Sequence, residues 1–237
     1  MANDYFRFKH FIIYQDRCFF KVNTDSCLFG AVAGHPNPER ILDIGSGTGL
    51  LALMMAQRFP EARIDAVEID PDSAKQAEQN FKLSNWYRRI KIHNLSIQDY
   101  TGTAPDPYDL VLANPPWFIN QQKSPDTMKN LGRHGSQFLV EELSRCAAKL
   151  TGAAGIFYTI FSMETAKGFT PYMELAGFHA LRRILIRSDK NQQPSRIITG
   201  YSRRKLKLTV DEIIIHEGRG QYSMEFRSLL RDFYQAF

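Results

Sequence analysis

No stretch of the 237 residues approaches the roughly 18 consecutive apolar residues that a membrane-spanning helix needs, so no membrane partner is expected. Cysteine is scarce. Cys18, Cys27 and Cys146 are odd in number, widely spaced and without a C-x-x-C pair, which argues against a disulfide framework and a zinc site, and no metal is expected. Internal repeats, low-complexity tracts and a recognisable linker are all missing. The expectation is a single domain over 1–237, with 1–35 as an N-terminal flap and helix and 36–237 as the core, in a monomer. The stretch from Met1 to His10 carries Asp4, Arg7, Lys9 and His10 among aromatics. It lacks the apolar centre of an export signal, so a cytoplasmic protein is expected.

Acidic charge is nearly missing from one region. Between Phe178 and Lys207 there are nine cations (Arg182, Arg183, Arg187, Lys190, Arg196, Arg203, Arg204, Lys205 and Lys207) against Asp189 alone. That segment carries +8 in a chain of net charge +5, so everything else sums to −3. Basicity this local suits a polyanionic partner better than a general surface charge, although late strands with a solvated face would also show it.

What is present is a regular alternation of strand and helix patterns. Residues 5 to 22 read as a strand pair turning near Gln15-Asp16-Arg17, and Thr24 or Asp25 as the cap of a short helix through Leu28 to Val32. Ile41-Leu42-Asp43-Ile44 is a buried strand followed by the turn Gly45-Ser46-Gly47-Thr48-Gly49 and a helix from Leu50 to about Arg58. Strands are expected at Arg63 to Ile69, Arg89 to His93 and Tyr108 to Ala113, and a helix from Pro71 to about Leu83 opens after Asp70. A long loop from Phe118 to about Gly135 precedes a helix to Leu150, a strand near Gly155 to Ile160 and a helix over Glu164 to Leu175. Strands at Phe178 to Ile186 and Arg196 to Leu206 and a final helix holding Phe226, Leu229, Leu230 and Phe233 complete an α/β fold. A Rossmann-like, mostly parallel seven-stranded sheet with helices on both faces follows.

The strand from Tyr108 ends in Asn114-Pro115-Pro116-Trp117, where paired prolines stop both helix and ladder. The Asn114 oxygen and the Pro115 carbonyl are then acceptors beside a flat indole, a cradle suited to a planar group bearing an exocyclic NH2. Taken alone, the same residues can be only a turn beside a core tryptophan. The glycine turn lies where open α/β sheets bind ligands, but its glycines at 45, 47 and 49 miss the dinucleotide spacing, which needs one at 50. Asp43 ahead of the turn suits a cationic amino-acid head rather than a phosphate. Glu68, followed by Ile69, can accept from ribose hydroxyls, and Asp99 from an adenine amino group. Singly, each carboxylate is more often a cap or surface charge. Their order at successive strand ends fits S-adenosyl-L-methionine as cofactor.

Asp43-Ile44-Gly45-Ser46-Gly47-Thr48-Gly49 with Asn114-Pro115-Pro116-Trp117 resembles the class I amino-methyltransferases. From Phe6-Arg7-Phe8-Lys9 through Lys21-Val22-Asn23-Thr24-Asp25 to the aromatic C-terminal helix, nearly the whole chain is similar to the bacterial tRNA1(Val) adenine-N6-methyltransferase family. That resemblance implies methylation of adenosine 37 in a tRNA anticodon loop. The amine would be held by Asn114 and the Pro115 carbonyl and stacked on Trp117, with Pro116 completing the motif. It further implies Lys21 and Thr24 closing over cofactor or base, Arg133 and His134 of the long loop on RNA, and Arg187, Arg196, Arg203, Arg204 and Lys205 on phosphates. Two positions depart from the family pattern: Trp117 stands where Tyr or Phe is usual, and Asn23 where Gly is common. A guanine-N2 rRNA methyltransferase or a glutamine-N5 protein methyltransferase shares the motifs. The latter is expected to carry a helical substrate domain ahead of its glycine turn. A non-catalytic RNA-binding scaffold would need only the basic segment and would tolerate loss of Asn114.

Overall fold

The computed structural model of the chain describes residues 3–115, 133–218 and 220–237, with the side chains of 133–139 outside that description. A hairpin of β1 (Tyr5–Arg7) and β2 (Ile12–Tyr14) leads to α1 (Thr24–Val32). Then follow β3 (Arg40–Ile44), α2 (Leu50–Arg58), β4 (Arg63–Val67), α3 (Pro71–Lys82), β5 (Ile90–His93), α4 (Ile97–Gly102) and β6 (Tyr108–Ala113). After the undescribed stretch come α5 (Arg133–Leu150), β7 (Thr151–Ser162), α6 (Met163–Leu175), β8 (His179–Asp189) and β9 (Arg196–Ser202). The chain closes with β10 (Thr209–Gly218), β11 (Gln221–Tyr222) and α7 (Met224–Leu230).

One sheet runs in the order β11-β10-β8-β9-β7-β6-β3-β4-β5. Among the described residues it has nine strands, not the seven expected. The expected seven are contiguous, and β10 extends them in parallel beside β8 because Ile213 and Ile215 alternate into the core. Only β9 and β11 run against the rest. Side chains alternate between two apolar layers. Ile41, Leu110, Leu112, Tyr158 and Ile160 meet α1, α2, α3 and α7 on one face, while Leu42, Val111, Phe157 and Phe161 meet the other layer, whose helix residues come from α4, α5 and α6. Asp43, between Leu42 and Ile44, therefore faces α2.

Three local expectations need correction. The N-terminal pair turns at Phe8–Phe11, where the Phe8 N–H bonds the Phe11 carbonyl, and not at Gln15–Arg17. Gln15 is instead buried, spending its side chain on the Asn3 carbonyl and the Val22 N–H. The cap of α1 is Asn23, whose side-chain oxygen accepts the Ser26 N–H at 2.9 Å, so Thr24 is the first helical residue and Asp25 only its acidic first turn. Strand β9 ends at Ser202, ahead of Arg203 and Arg204. The flap is also no loose cover: Phe8, Phe11 and Ile13 are buried, the Tyr14 main chain exchanges two hydrogen bonds with Asn80 of α3, and Phe8 bridges to Tyr234 near the C-terminus.

Candidate active site

Parallel pairing brings the C-terminal ends of β3, β4, β5 and β6 to one edge: Ile44 faces Ala113 on one side and Val67 on the other, and Val67 faces His93. The glycine turn, Glu68, Asn94 and Asn114 therefore emerge side by side.

The turn is held by its neighbour strand. Gly45 and Ser46 N–H groups bond the Val67 carbonyl at 2.8 and 3.1 Å, and the Gly47 N–H bonds Glu68 Oε2 at 2.8 Å. The other Glu68 oxygen accepts the Asp70 N–H at 2.9 Å, so this nearly buried carboxylate clamps the turn to the start of α3. Gly47 has φ +52°, a left-handed conformation that a side chain would strain, and a Cβ on it would meet nothing within 4 Å. The main chain there is open to a ligand. Gly49 has the opposite constraint: at φ +81°, its Cβ would lie 2.4 Å from the Phe81 ring.

Asp43 is fully buried. Its Oδ2 accepts the Ala52 N–H of α2 at 3.1 Å, while Oδ1 has no partner among the described residues. Burial pushes its pKa up to about 7; the Ala52 hydrogen bond works against this and the charge of Glu68 adds to it. A buried, unsatisfied carboxylate oxygen behind an open glycine turn fits the α-ammonium group of S-adenosylmethionine. Ile69 is 68% exposed, a large apolar side chain on the rim beside Glu68. Asp99 lies in the first turn of α4, where its carboxylate accepts the Ser96 hydroxyl at 2.6 Å, leaving acceptor capacity on its other oxygen. Lys21 donates to the Asn3 carbonyl at 3.3 Å.

Asn114 is fixed by a contact that motif reasoning missed. Its Nδ2 donates to Ser26 Oγ of α1 at 3.0 Å, and Ser26 Oγ lies 3.1 Å from the Asn23 oxygen. The first turn of α1 is docked a second time, by Arg196 at the start of β9, whose Nε is 3.0 Å from Asp25 Oδ2. Asn94 was missed too: it donates to the Glu68 and Ile69 carbonyls at 2.9 and 3.1 Å and holds the end of β4 in place. The available signal was local, an Asn three residues before a Ser and an Asn directly after a strand.

Pro116 and Trp117 lie outside the described residues, as does the expected loop up to residue 132. Arg133 and His134, expected in that loop, belong instead to the first turn of α5. The basic segment is not one patch. Arg187 and Arg196 lie toward the site edge, the first paired with Glu212, the second with Asp25. Antiparallel pairing puts Ser202 opposite Ile156 and His179, so Arg203, Arg204 and Lys205 follow at the far edge of the sheet. There Arg203 bonds the Ala148 and Ala176 carbonyls and covers the Phe178 ring, while Arg204 and Lys205 are exposed. Among the described residues no helix is long and apolar enough to cross a membrane, and no group of three or more His, Cys, Asp or Glu side chains could hold a metal ion.

Residues 24–145 match the family model of the methyltransferase small domain. Solved structures share the fold: a predicted O-methyltransferase from Agrobacterium tumefaciens is 19% identical with a TM-score of 0.70, covering 88% of this chain and 96% of that one. The ribosomal protein L11 methylase of Lactobacillus delbrueckii subsp. bulgaricus is 16% identical with a TM-score of 0.60, covering 81% and 84%. Among sequences, the tRNA1(Val) (adenine(37)-N6)-methyltransferase of Trichodesmium erythraeum is 39% identical over 100% of both chains. Those of Phocaeicola vulgatus and Pedobacter heparinus are 36% and 37% identical over 99% and 98% of both. By the family-model match and by full-length identity of 36–39%, the chain belongs to the methyltransferase small domain family and to the tRNA1(Val) (adenine(37)-N6)-methyltransferases.

Proposed function

We propose that this protein transfers the methyl group of S-adenosylmethionine to N6 of adenosine 37 in the anticodon loop of tRNA1(Val), acting as a cytoplasmic monomer. The observation that carries the reading is the Asn114 carboxamide, turned by its bond to Ser26 so that its NH2 is engaged and its oxygen is left as an acceptor next to the glycine turn. When bound, S-adenosylmethionine supplies a methyl group activated by a sulfonium. Asp43 would hold its ammonium group, the main chain at Gly45, Gly47 and Gly49 would line its path, Glu68 would accept from ribose hydroxyls, and Ile69 and Asp99 would meet the adenine. Lys21 and Thr24 would close the rim.

Adenine N6 is a weak nucleophile because its lone pair is delocalised into the ring. Accepting its two N–H bonds at the Asn114 oxygen and the Pro115 carbonyl favours a pyramidal nitrogen and aims the lone pair outward. As nitrogen gains positive charge in the transition state, the same two acceptors strengthen, which is the condition for catalysis rather than mere binding. The ammonium proton then leaves to these acceptors or to water. Trp117 would stack on the base, and an anticodon loop presents that base without the cost of opening a duplex.

The test is transfer of labelled methyl into total tRNA from cells lacking the protein, followed by nucleoside analysis. N6-methyladenosine is the expected product. Asn114→Ala is expected to abolish transfer while leaving cofactor affinity nearly intact. Methylguanosine, methylated protein, or equal loss of transfer and cofactor binding would overturn the reading.

A further inference from the structure

We propose that Ser26 and Asn23 are positioning residues, which set the hydrogen-bond polarity of Asn114 from outside the Asn-Pro-Pro motif. This rests on the reading above, that the Asn114 oxygen receives the substrate amine. The Ser26 main-chain N–H can only donate, so the Asn23 atom 2.9 Å from it must be the oxygen. That oxygen has no proton, so the Ser26 hydroxyl, 3.1 Å away, must give its single proton to it. The Ser26 oxygen is then left with lone pairs only. Its second partner, 3.0 Å away, must be a donor, which makes it the NH2 of Asn114. The carboxamide oxygen is thereby turned away from α1, and among the described residues no donor meets it.

Without this relay, the two ends of the carboxamide are nearly isosteric and a half-turn about the last side-chain bond exchanges them. In the flipped state Asn114 would offer N–H toward an amine that is itself a donor. The relay removes that state. Ser26 is buried in the first turn of α1, and the Asp25–Arg196 pair ties the same turn to β9, so the orienting group is held from two strands. The second element is what the motif cannot carry on its own strand: Asn114 is followed by prolines, which have no N–H to donate.

Four variants test it: Asn114→Ala, Ser26→Ala, Asn23→Ala and Asn23→Asp, assayed for methyl transfer at saturating cofactor and well below the melting temperature. Removing one neutral hydrogen bond that selects between two orientations is expected to lower kcat about tenfold in Ser26→Ala, with KM for tRNA and cofactor affinity unchanged. Asn23→Ala frees the hydroxyl proton and is expected to lose kcat in the same way. Asn23→Asp keeps an acceptor that both caps the helix and takes the proton, so it should retain kcat near the parent value. A parent-like kcat in Ser26→Ala while Asn114→Ala is inactive overturns the relay alone. An active Asn114→Ala overturns the reading beneath it. A loss in Asn23→Asp equal to that in Asn23→Ala, or a fall in kcat matched by weaker cofactor binding, assigns Asn23 and Ser26 to helix structure only and also overturns the relay.

Discussion

Asp43 is the residue whose surroundings and chemistry conflict most. A carboxyl that holds its proton up to about pH 7 in the fold but only to 3.8 when exposed makes the native state bind the extra proton between those values. By linkage, the stability of the cofactor-free protein falls as pH rises through that window and levels off above about 7. Asp43→Asn is therefore expected to raise the melting temperature relative to the parent more at pH 8 than at pH 5. A bound ammonium group reverses the preference, because it favours the ionised carboxylate. Cofactor affinity measured calorimetrically should rise from pH 6 to pH 8 more steeply in the parent than in Asp43→Asn, a comparison in which the cofactor's own titration cancels. Parallel pH profiles would remove Asp43 from the ammonium site.

The glycine turn and α2 are the element on which cofactor geometry depends. Gly49 combines a left-handed φ with a site where an added Cβ would lie 2.4 Å from the ring of Phe81, a buried residue in the last turn of α3. Gly49→Ala adds a left-handed strain of about 1–2 kcal/mol to an overpacking cost of about 1–3 kcal/mol, so a stability loss of roughly 3 kcal/mol is expected, read as a lower denaturant midpoint at unchanged slope. Gly47→Ala, where a Cβ meets nothing, should cost only the strain and weaken cofactor binding instead. Equal destabilisation by the two would mean that the Phe81 contact relaxes freely. The turn's composition was legible in the sequence. Which glycine is required for packing and which for access was not, because Phe81 is 32 residues away and reaches Gly49 only through the packing of α3 on the sheet.

At the scale of the whole molecule, the N-terminal hairpin and the C-terminal tail close on one another. Besides the Phe8–Tyr234 bridge, the Lys9 N–H bonds the Phe233 carbonyl at 2.8 Å and its ammonium the Arg231 carbonyl at 2.6 Å, over a cluster of Phe8, Phe11 and Tyr234 rings. The chain is proposed to fold as one unit on this basis. Phe8→Ala is expected to cost about 3–5 kcal/mol while leaving a single thermal transition; a separate early transition for the hairpin would contradict it. The basic segment divides at this scale as well, and we propose that the phosphate footprint includes the far edge of the sheet. Arg204→Gln with Lys205→Gln is then expected to lower the slope of log affinity for tRNA against log salt by roughly 2, with the site untouched. An unchanged slope would confine RNA to the edge holding Arg187 and Arg196.

The sequence by itself determined the strand and helix alternation, the bounds of α2 and α3, and the order of Asp43, the glycines, Glu68 and Asn114 along the chain. These follow from local rules: apolar period, capping at Asp70, Pro71 at a first turn, and prolines that stop a strand. Only the tertiary structure decided what those groups face. The left-over oxygen of Asp43 exists because α2 supplies one N–H and no second, and the clamp made by Glu68 exists because β4 lies beside β3. Asn114 takes its orientation from Ser26, 88 residues earlier, and Arg196 is drawn to Asp25 across 171. A hydrogen bond between positions that far apart is fixed by the pairing of β3 with β6 and the seating of α1 on that sheet, and no pattern within a window of residues encodes it.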